Sequence, residues 1–304
     1  MRKIIKIAVL LGLIGALGGG GYWLLHQDAR QPQIAQPQKK QPQRTEVKQL
    51  KIVALGDSLT QGVGDTTPEH GYPGRIAKAV NHQTKIPTTA LNLGKEGDRS
   101  DQILQRLKTS VEQQTAVKNA NVIVLTVGGN DLLKVLQGAI VGHSEAQVSK
   151  TVAKTVPEYE HSLGQLLSAI RTYNPHAALF LFGNYNPLYV YFPKFNAINT
   201  SVANYNEVNA TMIKKYDGYY VPTFNQLTYG QYQDGQARQN LIVQANEVGT
   251  NFLAALSSAR LQTDEKNNFL SPIDHFHPNA KGYDVMTKAL LQKMLLHDSW
   301  KYTK

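Results

Sequence analysis

The chain has 304 residues, enough for one large domain or two small ones. With 41% hydrophobic and 18% charged residues it has a globular balance, which argues against wholesale disorder, a collagen and a multi-span membrane protein. It has no cysteine, which removes disulfides, thiolate metal sites, a cysteine nucleophile and a lipid-modified N-terminal cysteine. The net charge of +10 is uneven. Residues 1–50 hold eight Lys/Arg against two acids, leaving 24 basic and 20 acidic residues for the rest. So small an excess gives little reason to invoke nucleic acid.

Arg2, Lys3 and Lys6 precede an uncharged run of 19 residues from Ile7 to Leu25. As a helix it would span about 28 Å, close to the hydrocarbon thickness of a bilayer. The basic residues come first, so the N-terminus is expected in the cytoplasm and the rest of the chain outside. Tyr22 and Trp23 stand near the far end, where interfacial aromatics belong. A cleaved signal peptide is the rival reading, although no clear small-x-small cleavage site is present. Residues 1–25 are therefore read as a basic tip and transmembrane anchor, or else a signal peptide. In residues 26–49 the tripeptide QPQ recurs every five residues. Gln and Pro bury too little apolar surface to offset chain entropy, so this is a solvated linker.

From residue 50 onward short apolar runs alternate with helical patterns. KIVAL (51–55) reads as a strand stopped by Gly56, and Tyr72 to Val80 as a helix. TTALNL (88–93) is a second strand. Ser100 to Gln114 sets Ile103, Leu104, Leu107 and Val111 at helical spacing, with Ser100 as N-cap. NVIVLTV (121–127) is a nearly continuous apolar run that ends at Gly128 and Gly129, the pattern of a strand buried on both faces. A long helix around 147–173, a strand at 177–182, a helix at 198–216 and a short strand at 219–221 follow. Helices are expected over 240–260 and from Asn279 to Leu295. The alternation predicts a doubly wound α/β sheet, and no second linker divides residues 50–304.

In such sheets ligands bind at the carboxyl ends of the strands. The residues that follow the first three predicted strands are GDS (56–58), a turn containing Gly97, and GGND (128–131); DHFHPN (274–279) precedes the last helix. Four separated segments thus offer a hydroxyl, a glycine amide, a carboxamide and an Asp/His pair. A serine hydroxyl becomes a useful nucleophile when an imidazole accepts its proton and a carboxylate orients that imidazole. Acyl transfer also builds negative charge on the carbonyl oxygen, for which backbone N–H groups and an Asn amide are suitable donors. Gly97 suits this role because a Cβ would hinder close backbone approach.

These blocks, GDSL at 56–59, Gly97, GGND and DHFHPN, resemble those of the GDSL, or SGNH, hydrolases, in the family's order and across nearly all of residues 50–304. The resemblance implies a flavodoxin-like fold and serine-dependent hydrolysis of an ester, thioester or amide, without metal or cofactor. It assigns the family's Ser, Gly, Asn and His to Ser58, Gly97, Asn130 and His277, with Asp274 as the acid of the triad. Ser58, Gly97 and Asn130 would form the oxyanion hole. The chain is also similar to the membrane-anchored or lipoprotein-type members of Gram-positive bacteria, and the missing lipobox cysteine favours an anchor helix.

Other readings weigh less. Asp57 reads as a turn or cap residue. His275 with Asp274 and His277 has the ligand types of a metal site, but that reading leaves Ser58, Gly97 and Asn130 unexplained. The chain contains no GxSxG elbow, and GVG (62–64) lacks the third glycine of a dinucleotide loop. NYNPLYVYFP (184–193) either lines an acyl pocket or packs a loop, and residues 224–270 match no recognised pattern. The sequence therefore predicts an extracytoplasmic, membrane-tethered esterase acting on an acyl ester of a lipid, a wall polymer or a small molecule. A binding module that keeps the fold without turnover is the alternative, and a nucleotide-binding flavodoxin-like protein is more distant.

Overall fold

A computed structural model of the chain describes residues 45–140, 143–245 and 264–303. Residues 1–44, which carry the expected membrane segment and most of the linker, lie outside these, as does the 246–260 part of one expected helix. Among the described residues no helix is long and apolar enough to cross a membrane. Ahead of the first strand, Glu46 bridges Tyr302 and the Thr303 N–H donates to the Thr45 carbonyl, so both ends of residues 45–303 meet.

Five strands, β1 (Leu50–Gly56), β2 (Thr88–Gly94), β3 (Val122–Thr126), β4 (Ala178–Phe182) and β5 (Gly218–Val221), form one sheet. Its order is β2-β1-β3-β4-β5 and every pairing is parallel. Ile52 lies opposite Ala90 on one side and Val122 on the other, and Val122 lies opposite Ala178. The helices are α1 (Ser58–Gln61), α2 (Tyr72–Thr84), α3 (Ser100–Thr109), α4 (Val111–Lys118), α5 (Gly129–Ala139), α6 (Glu145–Tyr173), α7 (Asn196–Lys215), α8 (Phe224–Tyr229), α9 (Gly235–Gln244) and α10 (Ala280–Leu296).

The central strands β3 and β4 read as nearly unbroken apolar runs and are buried throughout because helices cover both faces, whereas the edge strand β2 has no buried residue. Successive residues point to opposite faces of a strand. Val53, Leu55, Ile123, Leu125, Leu179 and Leu181 accordingly share a core with Leu107 of α3, Leu132 of α5, Leu163 of α6 and Ile213 of α7. Ile52, Ala54, Val122, Val124, Phe180 and Phe182 pack instead with Tyr72 and Ile76 of α2 and with Tyr283, Met286 and Leu290 of α10. Each such side chain contributes about 1.5–3 kcal/mol when fully buried, so the two layers lock the sheet from both sides.

The helix expected over 100–114 is two helices. Ser110 takes an extended conformation and its Oγ accepts from the Gln113 N–H (3.2 Å), capping α4 and ending α3. Ser100 is the first residue of α3, not its cap, which is Arg99. Its hydroxyl donates instead to Asp131 Oδ1, 2.5 Å away, tying the start of α3 to the start of α5.

Candidate active site

With the order β2-β1-β3, the chain adds β2 on one side of β1 and β3 on the other, and the crevice at the carboxyl ends of β1 and β3, where the strand order reverses, is where such sheets bind ligands. Ser58 follows β1, Gly97 follows β2 and Asn130 follows β3. Three adjacent strands therefore deliver them, with Ser58 in the middle.

Asp57 is the N-cap of α1: its Oδ1 accepts from the Leu59 N–H (3.0 Å) and from the Thr126 hydroxyl (2.7 Å). Thr126 is spaced 2.8 Å from Thr60 Oγ1, which lies 2.9 Å from the Tyr72 hydroxyl. Since Thr126 spends its proton on Asp57, Thr60 donates to Thr126 and Tyr72 to Thr60. Burial raises the Asp57 carboxyl above the usual range, while the Thr126 and Leu59 hydrogen bonds oppose that. The effect of this buried chain is to fix the turn from which Ser58 projects.

His277 Nε2 lies 2.9 Å from Ser58 Oγ, and His277 Nδ1 lies 2.7 Å from Asp274 Oδ2. The other oxygen of Asp274 accepts from the backbone N–H of Phe276 and of His277, both at 3.0 Å. One carboxylate thus holds both the ring of His277 and the turn that carries it. Burial would raise the Asp274 carboxyl, but these bonds to His277 and Phe276 outweigh it and hold it below the usual carboxylate range. Across the site, Gly64 lets the chain pass close: a Cβ there would stand 2.9 Å from His277 Cβ and 2.6 Å from the Pro278 carbonyl oxygen. Asn279 caps α10 through the Gly282 N–H (3.1 Å), so Pro278 lies before the helix.

Asn130 Nδ2 donates to the Asp98 carbonyl (2.9 Å), which joins the start of α5 to the turn holding Gly97. Gly97 has a φ of +80°, a conformation that favours glycine, and an added Cβ would meet no atom of the chain within 4 Å. Arg106 braces the same turn. Its guanidinium donates to Asp98 Oδ2 (2.5 Å), the Leu93 carbonyl (3.1 Å) and the Gly56 carbonyl (3.0 Å). Asp131 is turned away toward Ser100, and burial raises its carboxyl.

His275 is separate from this relay. Its backbone is left-handed (φ 55°), and its buried ring places Nδ1 2.6 Å from Glu265 Oε2 and 3.1 Å from the Tyr191 hydroxyl. The aromatic stretch 184–193 divides accordingly. Asn184 to Leu188 line a cavity of about 130 Å³ beside Ser58, together with Leu132, Leu136 and Ile198. Tyr189 packs edge-on against Tyr229, and Tyr191 belongs to the His275 cluster. Among the described residues no group of three or more His, Cys, Asp or Glu side chains is arranged to hold a metal ion. Thr126, Arg106 and Glu265 were not legible as site residues, because each lies in an otherwise ordinary strand, helix or loop, whereas Tyr185 falls in the aromatic stretch read as a possible pocket lining.

Residues 54–285 match the GDSL-like Lipase/Acylhydrolase family. The chain belongs to this family. As a GDSL-family member it is a serine hydrolase that acts on ester bonds. It is 30% identical over 250 residues to the protein YpmR of Bacillus subtilis (strain 168), spanning 82% of this chain and 83% of that one. A shorter stretch of 88 residues is 35% identical to the spore germination lipase LipC of Bacillus licheniformis, covering 29% and 41% of the two chains. The fold is similar to that of the lipase Lip_vut3 from a goat rumen metagenome, with a TM-score of 0.58 at 22% identity over 80% of this chain and 97% of that one.

Proposed function

We propose that this GDSL-family hydrolase is a membrane-tethered, extracytoplasmic esterase in which Ser58, His277 and Asp274 act as the catalytic triad. The observation that carries the reading is the unbroken relay from Ser58 Oγ through both nitrogens of His277 to Asp274. Ser58 Oγ attacks the acyl carbonyl as His277 Nε2 takes its proton. The carbonyl oxygen becomes an oxyanion, which accepts from the Ser58 and Gly97 N–H groups and from Asn130 Nδ2. His277 then returns the proton to the departing alkoxide as the C–O bond breaks, leaving an acyl-serine. Water attacks that ester with His277 again as base, and carboxylic acid and free Ser58 result. Asp274 orients the ring and stabilises the imidazolium that forms in each half.

The tethering rests on the run from Ile7 to Leu25 behind Arg2, Lys3 and Lys6, followed by the Gln/Pro-rich spacer. The decisive experiment for the chemistry is labelling with a fluorophosphonate probe. Covalent label on Ser58, lost in Ser58→Ala, is the expected result; an unlabelled but folded wild-type chain would refute the triad.

A further inference from the structure

The cavity beside Ser58 is chemically lopsided. Its polar lining includes Ser58, Asn130, Asn184 and Asp57, the last engaged by Thr126 and the Leu59 N–H. Asn186 also lines the cavity, but both ends of its carboxamide are engaged, accepting from the Leu188 N–H (2.9 Å) and donating to Asn199 Oδ1 (2.8 Å). Along α5 the lining runs from Asn130 through Leu133 and Gln137 to Ile140, with Leu132 and Leu136 beside it. These positions recur at i, i+3, i+7 and i+10, one stripe of a helix. Gln137 is exposed, and the remaining side chains after Asn130 are hydrocarbon. Ile198 and Val202, one turn apart on α7 and both buried, line the same cavity.

We propose that this stripe is a lane for the acyl chain, and that the preferred substrate carries an unbranched hydrocarbon acyl group of medium length. A carbonyl held at the Ser58 and Asn130 end directs its chain toward Leu133, Leu136 and Ile140. Two measures bracket the length. The cavity of about 130 Å³ is close to the roughly 150 Å³ that accommodates a six-carbon ring in an apolar core. The ten residue-to-residue steps from Asn130 to Ile140 rise about 15 Å, which an extended chain of roughly ten to twelve carbons would span. An acyl group of about six to ten carbons fills the lane, whereas acetyl leaves its apolar walls without contact. The inference rests on the esterase reading above.

The test is a ladder of p-nitrophenyl esters from acetyl to palmitoyl, hydrolysed by the full chain in detergent. Burying each added methylene is expected to raise kcat/KM by up to roughly fourfold until the lane is full. The optimum should fall between hexanoyl and decanoyl, at least tenfold above acetyl. Ile140→Trp, at the half-buried far end, and Leu136→Phe, midway, should each lower the octanoyl-to-acetyl ratio, with circular dichroism and fluorophosphonate labelling reporting a folded, reactive enzyme. Acetyl as the best substrate, or an unchanged ratio in both variants, would overturn the lane while leaving the esterase reading standing. Absence of both hydrolysis and Ser58 labelling in the folded wild type would overturn that reading, and this inference with it.

Discussion

Tyr185 donates its phenolic hydrogen to the carbonyl oxygen of Phe276, 2.7 Å away, in the residue immediately before His277. Tyr185 comes from the loop after β4, so this bond ties the sheet's carboxyl edge to the turn that carries the imidazole. Burial pushes its phenol well above the usual tyrosine range, so the hydroxyl stays a donor. Tyr185→Phe keeps the ring and deletes the bond. A net hydrogen bond of about 0.5–1.5 kcal/mol corresponds to a roughly two- to tenfold effect. We expect kcat to fall by that factor with KM nearly unchanged, because the substrate's own contacts remain. A rise in KM alone would show that Tyr185 acts on binding and not on the His277 turn.

Replacing the proposed nucleophile, Ser58→Ala, should cost ~10³-fold or more in kcat with the fold retained. Asn130→Ala should lower kcat by ~10²-fold, more than it raises KM, since its amide matters most once the oxyanion forms. Steady-state kinetics on one ester separates these outcomes. A folded Ser58→Ala protein with wild-type turnover would end the mechanism.

The two histidines should part company. His277→Ala is expected to remove nearly all activity. His275→Ala should keep most of it at moderate temperature but lower Tm, because Glu265, its side chain only 8% exposed, would lose its imidazole partner at a cost of about 1–3 kcal/mol. EDTA should leave the rate unchanged, since side chains handle every proton and charge in the proposed cycle. A folded but inactive His275→Ala enzyme, or zinc-dependent recovery after EDTA, would replace the triad by a metal site.

Acid should loosen the loop between α1 and α2. Asp65 is buried, which alone would raise its carboxyl. Arg75, the Gly71 N–H and Thr67 outweigh that and hold it at about 2. Its folded value lies below the unfolded value of about 3.9. The group therefore stabilises the fold above about pH 4, and that contribution fades as pH falls toward 2. Urea midpoints measured from pH 5 to pH 2.5 should fall more steeply in wild type than in Asp65→Asn. Parallel slopes would remove Asp65 from the account of acid sensitivity.

Cell fractionation should find the protein with membranes and accessible to protease from outside. A mature N-terminus mapped beyond Leu25 would indicate a cleaved signal instead.

The centre of the sheet was legible because a strand covered on both faces is largely apolar, as Val122 to Leu125 are. The site blocks were legible because a glycine or a chemically distinctive side chain stands just after each strand. Other features depend on tertiary partners. Nothing in the local sequence distinguishes Arg106 from any helical arginine until the Gly56 and Leu93 carbonyls approach it. The break at Ser110 was masked by the helical spacing of Val111 with Ile103, Leu104 and Leu107, although after the capped restart Val111 is exposed while the other three are buried. Glu265 acquires its meaning only where a left-handed residue turns His275 toward it.

Ser58 and His277 stand 219 positions apart in the chain, and the relay joins one of the earliest turns of the domain to one of the last. A ribosome-bound nascent chain can complete β1 to β5 and still hold a serine with no base. In the proposed cycle, turnover must wait until the stretch before α10 has been synthesised and seated against Gly64. On the proposed mechanism, a chain stalled or clipped before residue 277 is chemically silent however well its sheet has formed.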